Sequence, residues 1–254
     1  MTTYFILTIL VISGLFLGCF LNMLIYRLPY DMVLTKDIFK CRRCKKIWCV
    51  LDFIPLLSYL INRGKCRYCK KSISCRYFFV ELITPIVLLV VFFQYPAFSW
   101  LFFKFSFFYI ICIIIFFTDF ETYIIPNHLT YLCIGIGLLE SFFVHQYVDR
   151  FVACGIGYGI YYLIGKVATY YYKKESMGGG DMKLAAGIGA LWGMPIVLLS
   201  IYLSFFVAVI VVIPLLLLKI KSRKDHIPFG PAIIIASIIS LHYSEEILAW
   251  WFYV

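Results

Sequence analysis

Residues 182–218 read MKLAAGIGALWGMPIVLLSIYLSFFVAVIVVIPLLLL, with Lys183 the only charge. As a single helix rising 1.5 Å per residue, these 37 positions would extend about 55 Å, nearly twice the ~30 Å of bilayer hydrocarbon. The run is therefore too long for one crossing, and it divides at Trp192-Gly193-Met194-Pro195. The piece before the break is short, but Lys183 can carry its ammonium to the interface along an apolar stem.

Working outward, the same arithmetic applies to the rest of the chain. Hydrophobic residues make up 63% of it, charged residues 14%, and the mean hydropathy is +0.95. Soluble domains are roughly half apolar and a quarter charged, so the chain is read as all-α and polytopic. About eight spans are expected, near 4–26, 78–95, 101–118, 129–144, 151–172, 182–194, 196–218 and 228–243. Pro126 and Pro228 read as span starts, because proline is tolerated in a first helical turn. The segment from Tyr4 to Tyr26 is too long for a signal-peptide core. It ends at Arg27 without a small-residue cleavage site and reads as a retained span.

A net charge of +10 suggests an anionic partner until the basic residues are located. Most fall in 27–77, around Lys173 and Lys174, and in 219–227, which the positive-inside rule assigns to the cytosol. Both termini then lie outside, and Asp119 and Asp181 follow two inward-running spans onto one face. Lipid is the expected surrounding, and no nucleic-acid partner is expected. Three domains result: a first transmembrane helix over 1–26, a small cytosolic zinc-knuckle domain between the first and second spans over 27–77, and a multi-span core over 78–254. Ile47–Ile61, short and interrupted by Asp52 and Pro55, reads as an interfacial helix or a part of the cytosolic domain.

The cytosolic domain carries Cys41-x-x-Cys44 and, after 21 residues, Cys66-x-x-Cys69. Paired thiols at this spacing in a reducing compartment point to four-coordinate structural zinc, whose bonds replace the core that so short a loop lacks. Cys49 and Cys75 fit no pair. A zinc ribbon can bind nucleic acid, but this one is tethered closely between two spans. Glu81, near the cytosolic end of the second span, either faces a polar cavity or reaches the interface.

Asp119 and Asp181 are costly at the edge of hydrocarbon and are candidates for chemistry. Two carboxyl groups sharing a site can divide the roles of acid and base, as in an aspartic protease. Gly178-Gly179-Gly180 before Asp181 lets backbone and substrate approach closely, although a flexible hinge with Asp181 as helix N-cap fits the same residues. A proton- or ion-coupled transporter is the competing reading. It expects acids near mid-membrane and broken helices on both sides. A membrane adaptor docking partners through its cysteine knuckles is a third.

Several ordered motifs bring a resemblance into view: Gly18–Pro29, the two cysteine pairs, Pro55-Leu56-Leu57-Ser58-Tyr59, Tyr77 to Glu81-Leu82, Asp119 with Ile125-Pro126-Asn127, Gly178–Leu184 and Pro228–Pro231. With these the chain resembles, nearly end to end, the type IV prepilin leader peptidases, membrane aspartic proteases of the G-x-G-D class. The resemblance implies that Asp119 and Asp181 are the catalytic pair and that Cys41, Cys44, Cys66 and Cys69 belong to the cytosolic domain of bacterial members. It also implies cleavage of a basic leader from prepilins or pseudopilins at the cytosolic face of the inner membrane, then methylation of the new N-terminus with S-adenosylmethionine. No glycine-rich nucleotide fingerprint of the Rossmann kind indicates where that donor binds.

Overall fold

The computed structural model describes residues 2–32, 44–46, 54–95, 98–174, 177–219, 221 and 227–253. Among them lie nine α-helices: α1 Thr2–Arg27, α2 Leu57–Ile61, α3 Arg76–Gln94, α4 Trp100–Thr122, α5 Asn127–Phe143, α6 Tyr147–Tyr172, α7 Gly179–Trp192, α8 Met194–Leu217 and α9 Gly230–Tyr253. Of the segment Ile47–Ile61, residues 47–53 lie outside the described residues, and 57–61 form the short α2.

Each of the eight apolar runs corresponds to one helix, but among the described residues six helices are long and apolar enough to cross a membrane: α1, α3, α4, α6, α8 and α9. The other two are shorter. α5 has 17 residues and α7 has 14, or about 26 and 21 Å of helix against ~30 Å of hydrocarbon. The break in residues 182–218 falls where expected. α7 ends at Trp192, Gly193 takes φ +85°, and α8 begins at Met194 with Pro195 in its first turn.

The chain forms two compact units, Met1–Phe117 and Thr118–Val254, with the boundary inside α4. In the first, α1 and α3 pack antiparallel through small residues. A side chain on Gly14 would come within 2.7 Å of Pro85 Cα, and one on Gly18 within 2.7 Å of Glu81 Cα. A four-residue spacing of glycines permits this approach, as in membrane helix pairs generally. One further turn along, Asn22 Nδ2 donates to the Tyr77 carbonyl at 3.1 Å.

The second unit is built around α7. Its residues Leu184 to Leu191 are all buried, and five of the eight are glycine or alanine. α5 runs parallel to it, with Gly187 against Cys133 and Gly137 against Ala190. α6 runs antiparallel, with Gly189 against Ala153, Gly157 against Ala185 and Gly165 against Met177. Lipid supplies no hydrophobic drive between helices, so close van der Waals contact along such small surfaces holds them together. The consequence is a short helix enclosed by its neighbours, with its N-terminal acid held among them.

Candidate active site

Asp119 lies inside α4, not in the loop expected after it. The helix continues for one more turn, with Thr122 Oγ1 donating to the Thr118 carbonyl at 2.7 Å, and ends where Tyr123 takes φ +58°. The Asp119 side chain is 5% exposed, and its Oδ2 accepts the Gly230 N–H at 2.9 Å. Gly230 opens α9, so the fourth-from-last residue of one helix meets the first residue of another.

Asp181 is in the first turn of α7. Gly178, not Asp181, is the N-cap, with φ −71° and ψ 140°. Asp181 is the third residue of the helix, and its carboxylate reaches back to the Gly178 N–H, as the acid of a capping box does. Asp119 is close enough for its charge to act on Asp181, so the two sequence-predicted acids share one end of the second unit. Among the described residues neither has a cationic partner; their recorded partners are backbone N–H groups and each other.

Ile125 explains how the backbones close around the pair. Its side chain is buried, and a Cβ at Gly180 would fall 2.7 Å from the Ile125 Cβ. A Cβ at Gly230 would meet Ile125 Cδ1 at 3.2 Å and Asp119 Oδ2 at 2.7 Å. Glycine at both positions is therefore a condition of the geometry. Two lysines at this end are turned to neutral groups. Lys183 Nζ donates to Asn127 Oδ1 at 2.7 Å and sits over the Tyr131 ring, while Lys221 Nζ donates to the Tyr123 hydroxyl at 3.3 Å.

Chemically, the arrangement offers two carboxyl groups from separate helices, mutually repelling, each with a backbone N–H donor fixed on it. Such a pair can hold one proton between two sites and present one acid and one base to a single water. Reasoning from sequence did not identify the Gly230 N–H as a partner of Asp119. The motif Pro228–Pro231 was the available signal, but every non-proline residue carries the same amide and nothing in the letters aims it.

In the first unit, Cys44, Cys66 and Cys69 bring their sulfurs within 4.8 Å of one another. Cys41 lies outside the described residues. The residue after each pair, Lys45 and Lys70, has φ +56°, so both chains turn left-handed immediately past the second cysteine. The second turn is closed by Cys66 N–H to the Lys71 carbonyl at 2.8 Å and Lys70 N–H to the Cys66 carbonyl at 2.9 Å. Lys46 lies over the Tyr68 ring at 5.5 Å, joining the two turns. Cys75 is exposed and stands apart from the cluster. Thiolates bound to one zinc at ~2.3 Å stand about 3.8 Å apart, so three sulfurs this close fit such an ion.

Glu81 does not reach the interface as a free charge. It is 8% exposed, its Oε2 accepts the Leu56 N–H at 2.8 Å, and its Oε1 accepts the Cys19 thiol at 3.3 Å. Leu56 has φ +60°, so this carboxylate holds a left-handed residue at the start of α2.

Comparison with known proteins gives two family matches. Residues 12–95 match the model described as the bacterial peptidase A24 N-terminal domain, and residues 106–213 match that of the type IV leader peptidase family. A prepilin leader peptidase/N-methyltransferase from Vibrio cholerae serotype O1 is 33% identical over 251 residues, covering 93% of this chain and 96% of the relative. One from Aeromonas salmonicida (strain A449) is 31% identical over 271 residues, covering 94% and 91%. One from Neisseria gonorrhoeae is 28% identical over 270 residues, covering 94% and 92%. No solved structure matches the chain.

Proposed function

This chain belongs to the type IV leader peptidase family, and from that premise we propose that Asp119 and Asp181 are the catalytic pair of a prepilin leader peptidase that also N-methylates its product. The observation that carries the reading is the placement of two acids on different helices, within reach of each other's charge and with no cation among their described partners. One carboxylate takes a proton from a water, which attacks the scissile carbonyl carbon. The other, protonated, donates to the carbonyl oxygen as the tetrahedral intermediate forms. Collapse of the intermediate breaks the C–N bond: the proton held by the first carboxyl passes to the departing amine, and a hydroxyl of the intermediate returns its proton to the second carboxylate as the C=O re-forms. No covalent enzyme intermediate forms. Because the carboxyl groups titrate as a coupled pair, the rate follows a bell in pH that belongs to both.

The Gly230 and Gly178 N–H groups orient the two side chains. Holding them in advance of substrate is worth more than the hydrogen bonds alone, since misplacement by an ångström is costly in rate. The short helices α5 and α7 complete an eight-crossing membrane core, in which the basic segments face the cytosol and both termini lie outside. A basic prepilin or pseudopilin leader approaches from that face of the bacterial inner membrane while its apolar helix rests among the spans and lipid.

Cys44, Cys66 and Cys69, with Cys41 as the fourth ligand, hold a structural zinc ion in the domain over 27–77. Zinc bound there supplies folding free energy to a segment without a core of its own. The methyl group of the second reaction comes from S-adenosylmethionine. No described residues are assigned to that donor. The transporter reading finds no support in the family comparison, and both acids lie near helix ends.

The test is a single incubation of purified enzyme with a prepilin and a labelled methyl donor, read by product mass for loss of leader and gain of a methyl. Metal analysis of the same preparation should find about one zinc per chain, and the Cys69→Ser variant should lose it. Retained cleavage by Asp119→Asn or Asp181→Asn rejects the pair.

A further inference from the structure

Four residues of α6 are buried at a spacing of four: Ala153, Gly157, Tyr161 and Gly165. Three of them fit against α7 and the residues just before it because they are small, in an antiparallel register that sets Ala153 by Gly189, Gly157 by Ala185 and Gly165 by Met177, two residues ahead of the helix. The same register sets Tyr161, the one large side chain of the stripe, level with Asp181. The charge of Asp181 accordingly acts on the phenol. A tyrosine with 0% exposure in a row of glycine and alanine occupies space that a small residue would leave to α7, so its presence there needs a reason.

Its hydroxyl lies 2.7 Å from Ser204 Oγ on α8. Ser204 Oγ also lies 2.7 Å from the Ile201 carbonyl, which can only accept. A serine hydroxyl has one proton, which goes to Ile201, so Tyr161 is the donor to Ser204. The phenol proton is thus committed to Ser204 and not to the aspartates, and the ring is tethered by its hydroxyl. That ring and Phe229 pack in a T shape, with centroids 5.9 Å apart and planes at 90°. Phe205 packs on both, at 6.1 Å from Tyr161 and 5.5 Å from Phe229. Phe229 is the residue before Gly230, and its carbonyl accepts the Ala232 and Ile233 N–H groups. The peptide that donates to Asp119 is therefore held on one side by the helix it opens and on the other by an aromatic contact with Tyr161.

We propose that Tyr161 is a positioning residue for the aspartate pair: its ring fixes the Phe229–Gly230 peptide that donates to Asp119, and its tethered hydroxyl stands beside Asp181. The inference rests on the two aspartates being catalytic. It gives α6, which contributes neither aspartate of the pair, a direct part in setting the distance between them.

The experiment compares purified wild type with Tyr161→Phe, Tyr161→Leu, Ser204→Ala, Asp119→Asn and Asp181→Asn, each assayed for prepilin cleavage across pH and for thermal unfolding in detergent. Tyr161→Phe keeps the ring against Phe229 and should fold. It should lower kcat about five- to tenfold with KM within about twofold, and move the pH profile of kcat. Tyr161→Leu, which also loses the aromatic contact, should lower kcat about a hundredfold. Ser204→Ala frees the hydroxyl without removing it and should move the pH profile with a smaller loss of rate. It also carries the test should either tyrosine variant fail to fold. A wild-type pH profile in both Tyr161→Phe and Ser204→Ala, or losses of rate that only track losses of melting temperature, overturns the positioning role. Cleavage by either asparagine variant overturns the catalytic pair and this inference with it, whereas inactive asparagine variants beside a wild-type Tyr161→Phe overturn only the inference.

Discussion

The two ends of the second unit hold acids in opposite ways. At one end Asp119 and Asp181 are bound by backbone N–H groups from Gly230 and Gly178 and lie within each other's field. At the other, where α5 ends, α6 begins and α7 turns into α8, Arg150 sits in the combined field of Glu140 and Asp149 and donates to Gln146 Oε1 at 3.0 Å. Asp149 there accepts the Met194 N–H at 3.4 Å beside the left-handed Gly193. Both ends set a carboxyl group next to a glycine, yet among the described residues only one supplies a cation. A compensated acid is a fastener, because its charge is already answered. An uncompensated pair retains the repulsion that lets it take up and release a proton.

The sharpest way to break this contrast is to neutralise one acid of the uncompensated pair. Asparagine matches aspartate in size and still accepts the Gly230 N–H, so Asp119→Asn or Asp181→Asn should leave membrane yield and melting temperature unchanged. Cleavage should fall at least about a thousandfold, or about 4 kcal/mol of activation free energy. Initial rates of leader loss measured on equal amounts of folded enzyme decide the point. Residual activity within tenfold of wild type would mean that proximity of the carboxyl groups has nothing to do with the chemistry.

Next in size is Gly230→Ala. A methyl group there would stand 2.7 Å from Asp119 Oδ2, with Ile125 on its other side, so the donor peptide must withdraw from the carboxylate it orients. We expect a loss of about ten- to a hundredfold in kcat, roughly 1.4–2.7 kcal/mol, with little change in KM. A variant cleaving at the wild-type rate would show that the Gly230 hydrogen bond is ornamental and that Asp119 finds its place from α4 alone.

These residues also show where reading the letters succeeds and where it stops. Long apolar runs announce helices regardless of neighbours, and so each of the eight runs has its helix. Ends are less legible because polar residues look alike in a loop and in a last turn. Thr118-Asp119-Phe120-Glu121-Thr122 suggests an exit from the membrane, yet α4 continues through it to the left-handed Tyr123. Glu245 and Glu246 similarly mark the end of an apolar stretch, while α9 continues past a kink at Tyr243, since backbone hydrogen bonds do not require apolar side chains. The two aspartates stood out because ionised groups are rare near hydrocarbon. The Gly230 amide and the level of Tyr161 did not, because both depend on which helix lies opposite and in what register.

At the compensated end the expected effects are on stability and not on rate. Arg150→Ala should leave Glu140 and Asp149 facing each other's charge without their cation, lowering stability by about 1–2 kcal/mol; Arg150 is only partly buried, so solvent screens part of the loss. The readout is a lower melting temperature with cleavage per folded molecule within about twofold of wild type. If cleavage per folded molecule falls as far as it does in Gly230→Ala, the two ends are coupled and the division of labour drawn between them fails.

Asp149→Asn should have the smallest effect. The amide oxygen of asparagine can still accept the Met194 N–H, which is already long at 3.4 Å, and Glu140 remains to answer Arg150. What is lost is one exposed member of a charge cluster, for which less than about 1 kcal/mol is expected. The same chemical change, carboxylate to amide, is thus predicted to cost a thousandfold in rate at Asp119 or Asp181 and next to nothing at Asp149. That asymmetry is the direct measure of what a neighbouring cation does to an acid in this fold. A folded Asp149→Asn enzyme that no longer cleaves would invert it, moving the chemistry to the end where the charges are paired.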